Sequence, residues 1–299
     1  MGKNRQYFRS AARLCVLIFA AFSPHMGLVS ASAGDAHSQH AKVELLAAKD
    51  AVAPGENASI GLHFVLEPGW HIYWQNPGDS GEPPRIQFQL PAGFHAGQIE
   101  WPAPQRLGSA TVVDFGYSGE VLLIIPLAIP QNAVPGTHED LAATAKWLVC
   151  REICIPDQAQ LGLTLNIAAW ASSAGSAMQT LFARFRKLIP AAVPSNWNVK
   201  AISEGGGDLI LSVETGKPEE HALFYPFLPD PVENSAPQPA THLAKGVQLK
   251  LHKSDQQVEP VAILKGVLVL GDPQGSAGGS GGNSSAYRIA VPVRQSRKR

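Results

Sequence analysis

The 299-residue chain carries 24 Lys and Arg against 24 Asp and Glu, with 45% apolar residues, 28 Gly and 24 Pro. This even balance gives no reason to expect nucleic-acid binding, which leans on an excess of basic side chains.

Lys3, Arg5, Arg9 and Arg13 precede an apolar run from Leu14 to Phe22, and Ala31-Ser32-Ala33 precedes Gly34. This order predicts a secretory signal peptide over residues 1–33. The run is shorter than the roughly 20 residues that cross a bilayer, and no later stretch reaches that length, so a soluble mature protein is expected. Removing the signal leaves 20 basic against 24 acidic residues, a net charge of minus four. Cys15 departs with it, and Cys150 and Cys154 remain as the only cysteines, in a compartment where disulfides persist.

From Lys42 onward, short alternating runs are broken by Gly and Pro. Val43–Ala47, Ser59–Val65, His71–Trp74, Ile86–Leu90 and Val121–Ala128 read as strands. Glu67-Pro68-Gly69 and Asn76-Pro77-Gly78 read as turns between them. Ala142–Val149 and Ala159–Ile167 follow, with Cys150-Arg151-Glu152-Ile153-Cys154-Ile155-Pro156 between. Residues four apart on a strand are about 13 Å apart, whereas a disulfide needs Cα atoms within about 7 Å, so a bonded pair requires a turn there.

Met178, Leu181, Phe182, Phe185 and Leu188 repeat at helical spacing, predicting a helix within 174–188 that Pro190 and Pro194 end. Six further strand-like runs follow: Val199–Ser203, Leu209–Val213, Ala222–Pro226, Val247–His252, Ala262–Leu270 and Tyr287–Val293. The expected organisation is all-β: a sandwich over 34–170, a helical linker over 171–195, and a second, smaller β-domain over 196–299. Within the last, Gly275–Ser285 is expected to be a flexible Gly/Ser loop.

Two thiols a few residues apart form a complete exchange unit, because one releases the mixed disulfide that the other has formed. The competing reading is a structural brace, although so short a ring constrains the unfolded chain least. A third is a copper or zinc site combining the thiolates with His63, His71 or His95; no His lies near the pair in sequence, and Met178 is the one methionine left after the signal. No cofactor is expected. His37 and His40 read as a solvated tail. Arg151 would lower the pKa of a neighbouring thiol and Glu152 would raise it.

Four ordered segments carry a resemblance: Gly69-Trp70-His71-Ile72-Tyr73-Trp74-Gln75-Asn76-Pro77-Gly78-Asp79-Ser80-Gly81, Ile99-Glu100-Trp101-Pro102-Ala103-Pro104, Phe115-Gly116-Tyr117, and Trp147 through Pro156. From about Val43 to Ile167 the chain resembles the N-terminal periplasmic domain of the DsbD family of thiol:disulfide interchange proteins, most closely its ScsB-like, copper-sensitivity-suppressor branch. The resemblance implies an immunoglobulin-like sandwich in the periplasm. It implies that Cys150 and Cys154 relay electrons to thioredoxin-like periplasmic proteins, with Cys154 attacking and Cys150 resolving. It further implies a cap loop, Asp114 to Tyr117, in which Phe115 shields the cysteines with Tyr117 behind it. A full-length member has membrane segments and a thioredoxin-like domain, so a membrane-embedded donor is expected in trans. The alternative is a non-catalytic interaction or copper-tolerance module with a fixed disulfide.

Overall fold

The computed structural model describes residues 36–108, 111–204, 207–271 and 284–296. The expected signal peptide, most of the Gly/Ser loop and the last three basic residues lie outside the described residues. Within them the chain is all-β with a single short helix, an immunoglobulin-like sandwich followed by a third sheet.

The alternation seen in sequence decides which sheet face turns inward. One layer has the order Ala36–Ser38, Ala41–Ala47, Asn57–Leu66, Glu120–Ala128 and His95–Ala96. Asn57–Leu66 and Glu120–Ala128 are buried along nearly their whole length because this sheet is covered on both faces. The sandwich core covers one face; on the other lies the helix Ser176–Arg186, with Phe182 and Phe185 buried. Gly61 lets the helix approach, since a Cβ there would strike Leu122 and lie 3.2 Å from Phe182 Cζ. Arg184 of the helix also bonds Glu120, which accepts from His63 at 2.8 Å.

The second layer runs Ala51–Val52, Cys154–Ile167, His138–Cys150, His71–Gly78, Val113–Ser118 and Gln105–Gly108, with Arg85–Gln89 also paired to His138–Cys150. Its backbone is a long hairpin in continuous register from His138 opposite Asn166 to Cys150 opposite Cys154.

The third sheet, built from residues 191–295, has the order Ala222–Pro226, Ile263–Leu270, Ser285–Gln295, Asn198–Ser203, Asp208–Glu214, Gly246–His252 and Ala240–Leu243. It has its own core around Leu211, Val213, Leu249 and Leu268. Tyr225, Val267 and Val269 point elsewhere, into the core of the sandwich.

Two core tyrosines make the fold alkali-sensitive. Burial holds the Tyr117 phenol well above its usual range, and burial pushes Tyr225 up to about 12 against a smaller opposing effect of Arg106. In the unfolded chain both ionise near pH ~10. Between these values the unfolded state has lost protons the folded state retains, so stability present below pH ~10 falls as pH rises, by about 1.4 kcal/mol per unit per tyrosine. Chemical denaturation at pH 9 and 11 is expected to show the loss, and Tyr117→Phe and Tyr225→Phe to shrink it.

Candidate functional site

Cys150 and Cys154 end the two strands of the long hairpin and are cross-strand partners, so their Cα atoms stand 4.1 Å apart and the side chains are bonded as a disulfide. Arg151, Glu152 and Ile153 make the turn, closed by Arg151 N–H donating to Ile153 C=O at 3.1 Å. The two sulfurs differ in surroundings: Cys150 is 1% exposed, whereas Cys154 lies in the open with the turn, whose Ile153 is 67% exposed. A thiolate arriving from solvent therefore meets Cys154 first.

The turn is anchored on one side by rings. The Arg151 guanidinium lies 5.2 Å from the centre of the Trp70 ring, and Trp70 stacks on His40 at 3.7 Å. His40 in turn bonds Glu67 at 2.6 Å. This settles what Arg151 packs on: the indole takes up its charge by a cation–π contact.

Alternation along His71–Gly78 builds the wall behind the sulfurs. Ile72 and Trp74 enter the core, so His71 and Tyr73 face the other way, toward the hairpin end, with His71 opposite Cys150. The Tyr73 hydroxyl donates to Cys150 Sγ at 3.1 Å and stands 3.3 Å from Cys154 Sγ. It also lies 3.4 Å from Ser80 Oγ, which donates to Asp114 Oδ1 at 2.8 Å. Asp114 Oδ2 is 3.7 Å from His71 Nε2, a buried nitrogen with no hydrogen-bond partner.

Burial, and then the nearby Asp114 charge, raise the Tyr73 pKa against the Ser80 hydrogen bond, so the phenol keeps the proton it donates. Burial lowers the His71 pKa, outweighing the pull of Asp114. Gly81, at φ +74°, packs under the Tyr73 ring where any Cβ would collide with it.

The segment expected to form a cap loop is instead a strand, Val113–Ser118, hydrogen-bonded on both sides. A strand alternates, so its expected residues part company. Asp114 joins the disulfide wall. Phe115 is 2% exposed and packs edge-to-face with Trp74 and Tyr225, at 6.4 and 5.2 Å between centroids. Tyr117 is buried and donates to the Pro102 carbonyl at 2.7 Å. The aromatic ring at the sulfurs is Tyr73. It belongs to the expected strand His71–Trp74, whose alternation pairs it with His71, and that signal was available in the sequence.

His63 accepts or donates between Glu44 and Glu120 in the other layer, and His95 pairs beside Ala128, both on the sheet opposite the cysteines. Among the described residues no group of three His, Cys, Asp or Glu side chains converges as a metal site would require. Beside the hairpin end, a groove of about 430 Å³ runs between Glu82, Arg85, Lys146, Trp147, Pro156 and Asp157.

Residues 42–166 match the family described as thiol:disulfide interchange protein DsbD, N-terminal. The N-terminal periplasmic domain of ScsB from Proteus mirabilis is similar over 88% of this chain and 98% of its own, with a TM-score of 0.61 and 17% identity, a likeness of fold that extends past the sandwich. A protein of unknown function from Porphyromonas gingivalis W83 aligns over 84% of this chain and 99% of its own at 12% identity, but its TM-score of 0.22 carries no weight. No curated protein sequence matches the chain.

Proposed function

Residues 42–166 form a domain of the DsbD N-terminal family, and from that premise we propose that the protein relays electron pairs by thiol–disulfide exchange through Cys150 and Cys154 in the periplasm. The observation that carries this reading is the asymmetry of the bond: an open sulfur joined to a buried one, with the Tyr73 hydroxyl against both. A brace is superfluous here, because the strands that it would join are already in register over their whole length.

The relay runs in two balanced halves. A donor thiolate attacks Cys154 Sγ, the Cys150–Cys154 bond breaks, and Cys150 leaves as a thiolate that accepts the Tyr73 hydrogen bond. A second donor thiolate then resolves the mixed disulfide, which leaves the donor oxidised and the pair reduced by two electrons. In the second half Cys154 attacks the disulfide of an acceptor, and Cys150 attacks Cys154 Sγ to release that acceptor as a dithiol. Asp114 holds the Ser80 hydroxyl that stands beside the Tyr73 hydroxyl. Phe115 and Tyr117 fix the strand that carries Asp114 from its core side, and Tyr73 takes the shielding place.

The donor in this scheme is membrane-embedded and acts in trans, and the acceptors are thioredoxin-fold proteins of the periplasm. Among the described residues no helix is long and apolar enough to cross a membrane. The test is direct transfer: the reduced protein is mixed with an oxidised thioredoxin-fold protein, quenched with acid, alkylated and weighed. Two thiols are expected to appear on the acceptor for each pair lost from the donor. Retention of both thiols by this protein, against acceptors of that fold, would sink the proposal.

A further inference from the structure

The segment Asn76–Gly81, where the strand His71–Gly78 ends and the chain bends, bears the two residues that set Tyr73, namely Ser80 against its hydroxyl and Gly81 beneath its ring. This segment is held from outside the sandwich. At its start, Asn76 is 1% exposed and its amide donates to the carbonyls of Pro226 at 2.8 Å and Leu228 at 3.2 Å, while its Oδ1 accepts from Gly78 N–H. At Asp79, one carboxylate oxygen accepts from Val113 N–H at 2.7 Å and the other from Asn234 Nδ2 at 2.9 Å. Pro226 ends a strand of the third sheet, and Asn234 lies in the segment that follows. Asn234 is buried, and its Oδ1 has no partner. A buried amide with an orphaned acceptor is costly, and the contact its side chain does make is aimed at Asp79.

We infer that the third sheet is a positioning element of the exchange site: Asn76 and Asn234 clamp the segment 76–81 and, through Ser80 and Gly81, hold the Tyr73 hydroxyl between the two sulfurs. The inference rests on the exchange reading, since the hydroxyl matters because Cys150 leaves as a thiolate. It gives the residues beyond the sandwich a chemical task. No third-sheet residue among these touches the reacting atoms; each acts through Tyr73.

The geometry at Asp79 permits a reciprocal test. Asn234→Asp sets two carboxylates against each other, whereas Asp79→Asn leaves an amide pair that a flip of Asn234 still matches, so Asn234→Asp carries the test. The double exchange restores a donor facing an acceptor and leaves an oxygen for Val113 N–H. The probe is dithiothreitol, with the rate of reduction of the mature protein followed by alkylation and mass. Tyr73→Phe is expected to slow reduction about tenfold or more, as the loss of a hydrogen bond to a charged group does. Asn234→Asp is expected to slow it by at least about threefold, the double exchange to restore it, and Asn234→Asp added to Tyr73→Phe to change nothing further.

The inference is overturned if Tyr73→Phe slows reduction while Asn234→Asp does not. It is also overturned if Asn234→Asp slows reduction equally in the Tyr73→Phe background, which would make the clamp merely structural. A parent pair that does not cycle reversibly strikes at the exchange reading itself, and the clamp falls with it, whereas a Tyr73→Phe variant that reacts like a cycling parent leaves that reading standing and overturns the clamp.

Discussion

Cys154→Ser is expected to abolish exchange, a loss of about three orders of magnitude or more, as removal of a covalent nucleophile causes. Cys150→Ser is expected to abolish turnover as well, but by a different route. Cys154 is exposed and still attacks, and with no Cys150 thiolate to resolve it the mixed disulfide accumulates. Non-reducing electrophoresis with a thioredoxin-fold acceptor separates the two, with an adduct for Cys150→Ser and none for Cys154→Ser. The asymmetry follows from burial, because Cys150 is 1% exposed and sits under Tyr73, where an acceptor of protein size does not reach. Equal adducts from both variants would contradict the assignment. Undiminished transfer by the double variant would return the pair to the role of a brace.

Trp74→Ala is expected to destabilise the fold by about 3–5 kcal/mol. Trp74 is fully buried and touches Phe115 of its own layer together with Tyr225 and Phe227, which reach in from the third sheet. Its removal opens a void where the sandwich and the third sheet meet, beneath the same segment that Asn76 and Asn234 clamp. Trp74→Phe provides the control. The indole N–H has no partner, so phenylalanine forfeits volume but no hydrogen bond, and a loss well below that of alanine is expected. Urea titration of both variants measures the difference. An alanine variant that loses less than about 1.5 kcal/mol would show that the seam is not packed as described.

How far the fold could be read from sequence depended on the range of the interactions. Val43–Ala47, Ser59–Val65 and Val121–Ala128 were legible because alternation and bounding turns are local, and each is a strand with ends moved by a few residues. Residues 174–188 contain the helix Ser176–Arg186, marked by Phe182 and Phe185 on one face. The cysteine hairpin was legible as two runs with a turn between them. The strands nevertheless extend up to the cysteines themselves, since cross-strand pairing overrides the weak local preference of Pro156 and Asp157.

Val113–Ser118 escaped as a strand because an Asp and a Gly interrupt its apolar pattern, and pairing with two neighbours supplies what propensity does not. The resemblance therefore led to a loop with Phe115 at the sulfurs, whereas alternation turns Phe115 to the core and leaves Asp114 on the disulfide side. Tyr73 was visible as a residue but not as a partner of Cys150, which lies 77 positions away. The clamp at Asp79 and Asn234 spans 155 positions and has no local sign at all. Contacts of that separation belong to the fold, not to any stretch of sequence.

The central claim is that Cys150 and Cys154 cycle between disulfide and dithiol, and the reduction potential of the protein tests it most directly. Equilibration in dithiothreitol and glutathione buffers, with free thiols counted by alkylation and mass, is expected to give one reversible two-electron transition within roughly −180 to −270 mV. A pair that stays oxidised below about −300 mV would contradict the account and identify the bond as a fixed part of the fold.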